Sequence, residues 1–195
     1  EAFASKVGFK LNNIYVMDGS KRSSKANAYF TGLGKQKRVV LFDTLLEQLS
    51  KEEILAVLAH ELGHMKRKHI VKRMSLMAVF ALFYCWLVHT LIGWPGLPQL
   101  AGLTEASFYA RAVILFFLFG ILAFPITPLF SLLSRRDEYQ ADRFACDLHG
   151  SPEDLATALV QMSKENLANL HPHPFYARFY YSHPPVVERV NKLRE

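Results

Sequence analysis

The sequence of 195 residues contains only two cysteines, Cys85 and Cys146, and this scarcity excludes a fold held together by several disulfides. It also has no internal repeat, no low-complexity tract and no glycine-rich phosphate-binding loop. The net charge is +6, but the basic residues do not form a patch interleaved with aromatic side chains. A nucleic-acid partner is therefore not expected.

Charged residues are absent from two long stretches, 74–94 and 112–134. Each stretch has just over 20 residues, or roughly 30 Å as a helix, which matches the hydrocarbon core of a bilayer. Pro125 and Pro128 predict a kink in the second stretch. The alternative is a pair of buried helices in a soluble domain, but a chain of this length could hardly cover both. We therefore expect an integral membrane protein with an inserted transmembrane hairpin.

Basic side chains flank both apolar stretches, whereas the segment between them, 95–111, carries only Glu105 and Arg111. By the positive-inside rule, both outer ends of the hairpin should face the cytoplasm and the connecting loop should face the opposite side. The flanking residues are Lys66, Arg67, Lys68, Lys72 and Arg73 before the first stretch, and Arg135 and Arg136 after the second.

The most specific motif is His60-Glu61-Leu62-Gly63-His64. Ser50 and Glu53 form a capping-box pattern that predicts a helix start, which places the motif two to three turns into that helix. On a helix, His60 and His64 share one face and can bind one zinc ion, while Glu61 lies beside the metal as a general base. The alternative, two solvated histidines, does not account for the glutamate.

The third zinc ligand has to come from another part of the chain. A metzincin would have glycine and histidine where this sequence has Arg67 and Ile70, so that class is excluded. His69 is five residues from His64 and would be rotated away from the ligand face of a continuous helix. We expect His69 to be a basic surface residue.

Glu138 and Asp142 are better candidates for completing the site. They are four residues apart and share a helix face, which suits one carboxylate on zinc and one that orients a ligand histidine. From spacing alone, ion pairs with neighbouring arginines on a solvated helix remain an alternative. Two histidines and one glutamate would make a catalytic zinc site with an open fourth position.

Short strands are predicted before the motif, and they make the expected fold class α+β, mostly α. Residues 13–17, 27–31 and 38–42 have strand patterns, and a turn at 32–37 joins the last two. An edge strand of such a sheet can pair with an extended peptide substrate. Asn27 would then contact the substrate backbone, although an asparagine at the start of a strand can also be purely structural.

Five segments together resemble the type I CAAX prenyl endopeptidases, integral-membrane zinc proteases with a gluzincin-like core. The resemblance implies one Zn²⁺ per chain held by His60, His64 and Glu138. It also implies that Glu61 is the catalytic glutamate and that Asp142 supports a ligand histidine. The five segments are residues 27–34, 39–45, 56–64, 134–142 and 183–185.

The same resemblance assigns roles near the end of the chain. His183 precedes Pro184 and Pro185, and by sequence alone such a histidine is more often structural. In the family it approaches the metal, which suits stabilisation of the oxyanion at the scissile carbonyl. Arg189 is expected to approach the metal too, where it could orient a carboxylate or the substrate.

The resemblance also implies that residues 1–195 are a single metalloprotease catalytic region, the C-terminal portion of a longer membrane protein. The expected location is a bacterial inner membrane or the endoplasmic reticulum, with the zinc site facing the cytoplasm. Substrates would be peptides or proteins with a prenylated C-terminal cysteine, cleaved after that cysteine. Two alternatives are an HtpX-type quality-control protease and a catalytically silent zinc-binding scaffold, which would have no use for Glu61.

Overall fold

The computed structural model describes residues 11–21, 23, 25, 27–31 and 37–195, and it is mostly helical with one small mixed sheet. Most of the predicted turn at 32–37 lies outside the described residues. The chain divides into two compact units. We call them the site unit, which contains the described residues up to His69 together with Ser131–Glu195, and the apolar unit, Ile70–Phe130.

The sheet of the site unit has the strand order β1-β3-β2. Strand β1 (Leu11–Met17) pairs in parallel with the central strand β3 (Lys37–Phe42), and β2 (Ala28–Thr31) pairs with β3 in antiparallel fashion. The three strands confirm the sequence-based prediction. Among the described strands, β2 lies at an edge, and it contacts the helix that carries the His-Glu motif.

All the described helices follow the sheet in the chain. In chain order they are α1 (Asp43–Gln48), α2 (Lys51–Lys66), α3 (His69–Ile92), α4 (Leu97–Leu100), α5 (Phe108–Ala123), α6 (Thr127–His149), α7 (Pro152–Glu165), α8 (Pro174–Tyr180) and α9 (Val186–Arg194). Helix α2 packs against α7, and α7 packs against α9.

Helix α2 is buried on two sides, which fixes its position in the site unit. On one side Val57 belongs to a cluster with residues of β3 and α1, among them Leu41 and Leu45. On the other side Ala56 and Ala59 pack with residues of α6 and α7. Because these alanines are small, the neighbouring helices approach the backbone of α2 closely, and burial of the cluster holds the motif helix in place.

The apolar unit consists of two long helical segments and a short connection. Arg111, which lies in the first turn of α5, donates from Nη1 to the carbonyl oxygens of Ile92 (3.2 Å) and Trp94 (3.0 Å). It therefore satisfies carbonyl groups at the C-terminal end of α3, which have no partner within the helix. Ring contacts join the two segments, with centroids of Tyr84 and Phe119 4.7 Å apart.

Two helical segments are long and apolar enough to cross a membrane, namely His69–Ile92 and the continuous run Phe108–His149. Large apolar side chains are exposed along both; Leu82 and Phe116 are 72% and 71% exposed. A 3₁₀ turn at Phe124–Ile126 interrupts the second run, at the place where Pro125 and Pro128 predict a kink. Helix α3 begins five residues before the predicted stretch 74–94 and ends two residues before that stretch ends.

Candidate metal centre

Helix α2 begins with the predicted capping box. Ser50 Oγ accepts a hydrogen bond from the Glu53 backbone N–H (3.3 Å), and Glu53 Oε2 accepts one from the Ser50 N–H (2.7 Å). The reciprocal cap satisfies two backbone donors at the helix start and fixes the helix phase. His60 and His64 consequently present their rings on the same face, with centroids 4.7 Å apart.

Glu138 of α6 meets these two histidines. Its Oε2 lies 3.6 Å from His60 Nε2, and its Oε1 lies 3.4 Å from His64 Nε2. The two Nε2 atoms are 3.1 Å apart. One ligand atom from each of the three residues can be chosen so that all lie within 4.8 Å of one another.

The arrangement fits a tetrahedral zinc ion. Ligands about 2.05 Å from zinc with tetrahedral angles would be about 3.3 Å apart. The two Nε2 atoms, 3.1 Å apart, lie near that value, and each of them lies 3.4 or 3.6 Å from one of the two carboxylate oxygens of Glu138. Two imidazoles and one carboxylate are also the donor set that catalytic zinc sites use, with the fourth position open. The residues present therefore fit the metal.

Asp142 lies one turn beyond Glu138 and holds His60 from the opposite side of its ring. Asp142 Oδ1 accepts from His60 Nδ1 (2.8 Å) and from Arg189 Nη2 (2.6 Å), and Oδ2 accepts from Arg189 Nε (2.9 Å). All three side chains are buried. Arg189 thus forms a bidentate pair with Asp142, and the carboxylate orients His60 so that its Nε2 faces Glu138.

The pKa values of the two histidines are shifted in opposite directions when no metal is bound. Burial disfavours the charged form of His60, but hydrogen bonds to Asp142 and Glu138 outweigh it and raise the pKa of His60 to about 9. Burial and the neighbouring His60 lower the pKa of His64 to about 4. Hydrogen bonds from His183 and His60 overcome the burial of Glu138 and hold its pKa well below its usual range.

Glu61 lines the same cleft, which has a volume of about 550 Å³. Burial raises the pKa of the Glu61 carboxyl above its ordinary value, against the opposing effect of His60. The raised pKa lies closer to neutral pH, where the pKa of an efficient general base should lie. The cleft also contains Asn27, which is exposed just before β2, and its backbone oxygen accepts from the Phe42 N–H (3.1 Å).

His183 reaches the site from the segment between α8 and α9. Its Nδ1 lies 3.0 Å from Glu138 Oε2, and the side chain is 66% exposed. The segment before it is held by Arg135, whose Nη1 donates to the carbonyl oxygens of Ala177 (3.3 Å) and Tyr181 (2.8 Å). The sequence indicated a membrane-flanking role for Arg135, or an ion pair with Glu138 or Asp142 on the same helix. No sequence signal points to these carbonyl contacts.

The prediction that His69 is a basic surface residue is wrong. Its side chain is buried, and its Nδ1 lies 3.1 Å from Nδ1 of His64. The prediction assumed a continuous helix, but α2 ends at Lys66 and Lys68 adopts a φ of 57° in the left-handed region, which is uncommon for a residue other than glycine. This break after α2 places His69 beside His64.

A family model described as peptidase family M48 matches residues 1–195. CAAX prenyl protease 1 of Saccharomyces cerevisiae is 38% identical over 220 residues, which cover 99% of this chain and 46% of that protein. The CAAX prenyl protease 1 homolog of Oryza sativa subsp. japonica is 40% identical over 202 residues, which cover 100% and 46%. The chain spans about half the length of these curated relatives.

A solved structure has the same fold. The crystal structure of S. mikatae Ste24p superposes with a TM-score of 0.87 and 35% sequence identity. The match covers 100% of this chain and 48% of the Ste24p chain. The mostly helical architecture with its small sheet therefore agrees with an experimentally determined structure.

Proposed function

Because the chain belongs to peptidase family M48, we propose that residues 1–195 form the catalytic region of a membrane-embedded zinc endopeptidase with a gluzincin-like core. One observation carries the proposal: ligand atoms of His60, His64 and Glu138 lie at zinc-compatible separations beside Glu61 in an open cleft. The names of the relatives support a substrate class, peptides or proteins with a prenylated C-terminal cysteine, cleaved after that cysteine.

His60, His64 and Glu138 would hold one Zn²⁺ per chain. When bound, zinc supplies Lewis-acid activation of the attacking water and of the substrate carbonyl. Asp142 fixes the ring of His60 through Nδ1, and Arg189 fixes Asp142 through two hydrogen bonds. Of the two roles open for Arg189, these contacts support orientation of a carboxylate.

Glu61 would move the proton that peptide hydrolysis requires. It accepts a proton from water and then passes it to the amine that leaves as the peptide bond breaks. The raised pKa of its carboxyl supports both steps, since a group that accepts a proton readily must also be able to release it. Its position in the cleft beside His60 places it within the same polar site.

His183 and Asn27 would support the substrate in the transition state. His183 Nδ1 is engaged with Glu138, which leaves Nε2 on the opposite side of the ring to face the developing charge on the scissile carbonyl oxygen. Asn27 lies where an extended peptide would meet the edge strand β2. Apolar side chains that line the same cleft, Val57, Leu155 and Met162, would contact apolar substrate residues.

The proposal places the chain in a bilayer. The predicted spans 74–94 and 112–134 fall largely within the apolar helical segments His69–Ile92 and Phe108–His149. His64 and Glu138 share one site, so the chain has to leave and re-enter the hydrocarbon layer on the same side. The basic flanks of both spans make that side the cytoplasm, in a bacterial inner membrane or the endoplasmic reticulum.

Two other functions use the same residues differently. An HtpX-type quality-control protease would use the same zinc and glutamate on unprenylated membrane proteins. A silent scaffold would bind zinc without hydrolysis, but the position of Glu61 in the cleft has no purpose there. The names of the relatives from yeast and rice, CAAX prenyl protease 1 and its homolog, favour a protease that acts on prenylated substrates.

A paired-peptide assay tests the proposal. The whole protein, purified in detergent, is given a quenched peptide that ends in a prenylated cysteine and three further residues, and separately the same peptide with a free cysteine. We expect hydrolysis of the prenylated peptide, its loss with a chelator and its return with added zinc. Equal cleavage of both peptides would favour the quality-control function, and no cleavage of either would favour the scaffold.

A further inference from the structure

His69 is a buried histidine that the catalytic scheme leaves without a role. Its side chain has 1% relative exposure, although it stands between the exposed basic residues that precede the apolar stretch. Histidine is buried less often than apolar residues are, and a buried imidazole requires hydrogen-bond partners for both ring nitrogens. Three partners of its ring nitrogens, His64, Gln140 and Asp137, lie in the site unit, and His64 is a zinc-site histidine.

The protonation pattern around His64 follows from its contacts. His64 Nε2 faces His60 and Glu138, so this nitrogen must keep its lone pair if the residue binds a metal. A neutral imidazole then carries its proton on Nδ1. That Nδ1–H points at Nδ1 of His69, 3.1 Å away, and His69 must accept it.

The second nitrogen of His69 completes the same pattern. If Nδ1 of His69 accepts, its proton is on Nε2. This Nε2 lies 3.4 Å from Gln140 Oε1 and 3.6 Å from Asp137 Oδ1, and both oxygens are acceptors. Both residues belong to α6, the helix that also carries Glu138. One tautomer thus satisfies the whole chain of contacts from His64 to α6.

The two zinc-site histidines are therefore held in matching ways. His60 donates from Nδ1 to Asp142, and His64 donates from Nδ1 to His69. Partners of this kind fix the tautomer and the ring orientation of a ligand histidine, and their loss typically weakens metal binding by about 10–100-fold. The left-handed conformation of Lys68 is what brings His69 to this position, five residues after His64.

We propose that His69 is a positioning residue that holds His64 in its metal-binding tautomer and orientation. The inference rests on the proposed zinc site, because His69 can act in this way only if His64 binds a metal. His69 is not a ligand itself, since its Nδ1 is engaged with His64 and its Nε2 faces α6.

The test compares two substitutions of similar size. His69→Asn keeps an acceptor oxygen near the position of Nδ1, whereas His69→Leu fills the space without an acceptor. Zinc affinity is measured on the whole protein in detergent by competition with a chelator, and Co²⁺ spectra report the ligand geometry. We expect His69→Leu to weaken zinc binding by about 10–100-fold and to change the Co²⁺ spectrum, and His69→Asn to remain near the wild-type affinity.

His149 provides the matched control. It is another mostly buried histidine of the site unit, and its Nε2 bonds to Asp154 (2.8 Å) away from the zinc ligands. His149→Leu should lower thermal stability without changing zinc affinity. If His69→Leu does not fold, His69→Gln replaces it. The amide oxygen of glutamine lies beyond the position of Nδ1 and is not placed to accept from His64. His69→Gln should therefore bind zinc more weakly than His69→Asn.

The outcomes separate this inference from the proposed function. A wild-type protein that binds no zinc would overturn both. A wild-type protein that binds zinc, with His69→Leu or its glutamine substitute binding equally well, would overturn the role of His69 and leave the zinc peptidase intact. Equal weakening in His69→Asn and His69→Leu would also overturn it, since the acceptor would then make no difference.

Discussion

Gly63 and Ala141 bring the helix that carries His60 and His64 into backbone contact with the helix that carries Glu138. A Cβ atom placed on Gly63 would lie 3.0 Å from Cα of Ala141 and 3.2 Å from its carbonyl oxygen. Both neighbours are backbone atoms, so neither can move aside as a flexible side chain could. The crossing point lies between His60 and His64 on α2, and Glu138 is one turn before Ala141 on α6. The helix spacing that would allow His60, His64 and Glu138 to share one metal therefore depends on a residue without a side chain.

Gly63→Ala should separate the two helices. The added methyl group should destabilise the fold by about 1–3 kcal/mol, as overpacking does, and should weaken zinc binding because Glu138 moves away from the histidines. Thermal denaturation and chelator competition measure the two effects. Gly120→Ala is the control, since a Cβ there meets nothing within 4 Å. Equal zinc affinity in both variants would show that the close approach does not set the site geometry.

Glu138→Ala and Asp142→Asn should differ in their effect on zinc. Removing Glu138 would delete one of the three proposed ligands, so zinc binding should be lost almost completely. Asp142→Asn removes only the charged acceptor of His60, and a loss of about 10–100-fold is expected. Elemental analysis of the folded fraction of each variant decides the ranking. The reverse ranking would identify Asp142 as the ligand.

Arg135→Ala should impair catalysis while zinc stays bound. The guanidinium holds the carbonyl groups of Ala177 and Tyr181, and His183 follows two residues later. Small misplacements of a group that contacts the transition state can cost up to about 100-fold in turnover. The exposed neighbour Arg136 supplies the control variant Arg136→Ala. Wild-type turnover in Arg135→Ala would remove the link between this contact and His183.

The orientation in the membrane is tested by cysteine labelling. In a protein whose Cys85 and Cys146 are replaced, Leu103→Cys should react with an impermeant thiol reagent added outside intact cells. Arg67→Cys should be protected until the membrane is opened, because the basic flanks predict a cytoplasmic site. For an enzyme of the endoplasmic reticulum, sealed microsomes replace cells and the expected pattern is reversed. In intact cells, labelling of Arg67→Cys alone would invert the assignment.

Local signals allowed much of this molecule to be predicted from its sequence. The Ser50–Glu53 cap and the helical spacing of His60 and His64 depend only on residues within a few turns. The strands and the apolar stretches have their own periodicity or length, so they too are visible without tertiary information. Glu138 could be proposed because its spacing to Asp142 suits a ligand and its support on one helix face, and the family resemblance selected it.

The contacts that reach across the fold could not be predicted in this way. The position of His69 depends on a left-handed residue at Lys68, and lysine gives no indication of such a conformation. The Arg135 contacts join residues more than 40 positions apart, and charge at a membrane flank already explained that arginine. Gly63 could be read from the sequence only as a poor helix former, since its contact with Ala141 exists only in the packed structure.

Glu61→Gln provides the most direct test of the central claim that this chain hydrolyses peptide bonds with Glu61 as the general base. The substitution keeps the shape of the side chain and leaves the three zinc-site residues unchanged. Zinc content and hydrolysis of the prenylated peptide are measured on the same purified sample. We expect one zinc per chain to be retained and turnover to fall by at least about 100-fold. Near-normal turnover at full zinc content would contradict the account.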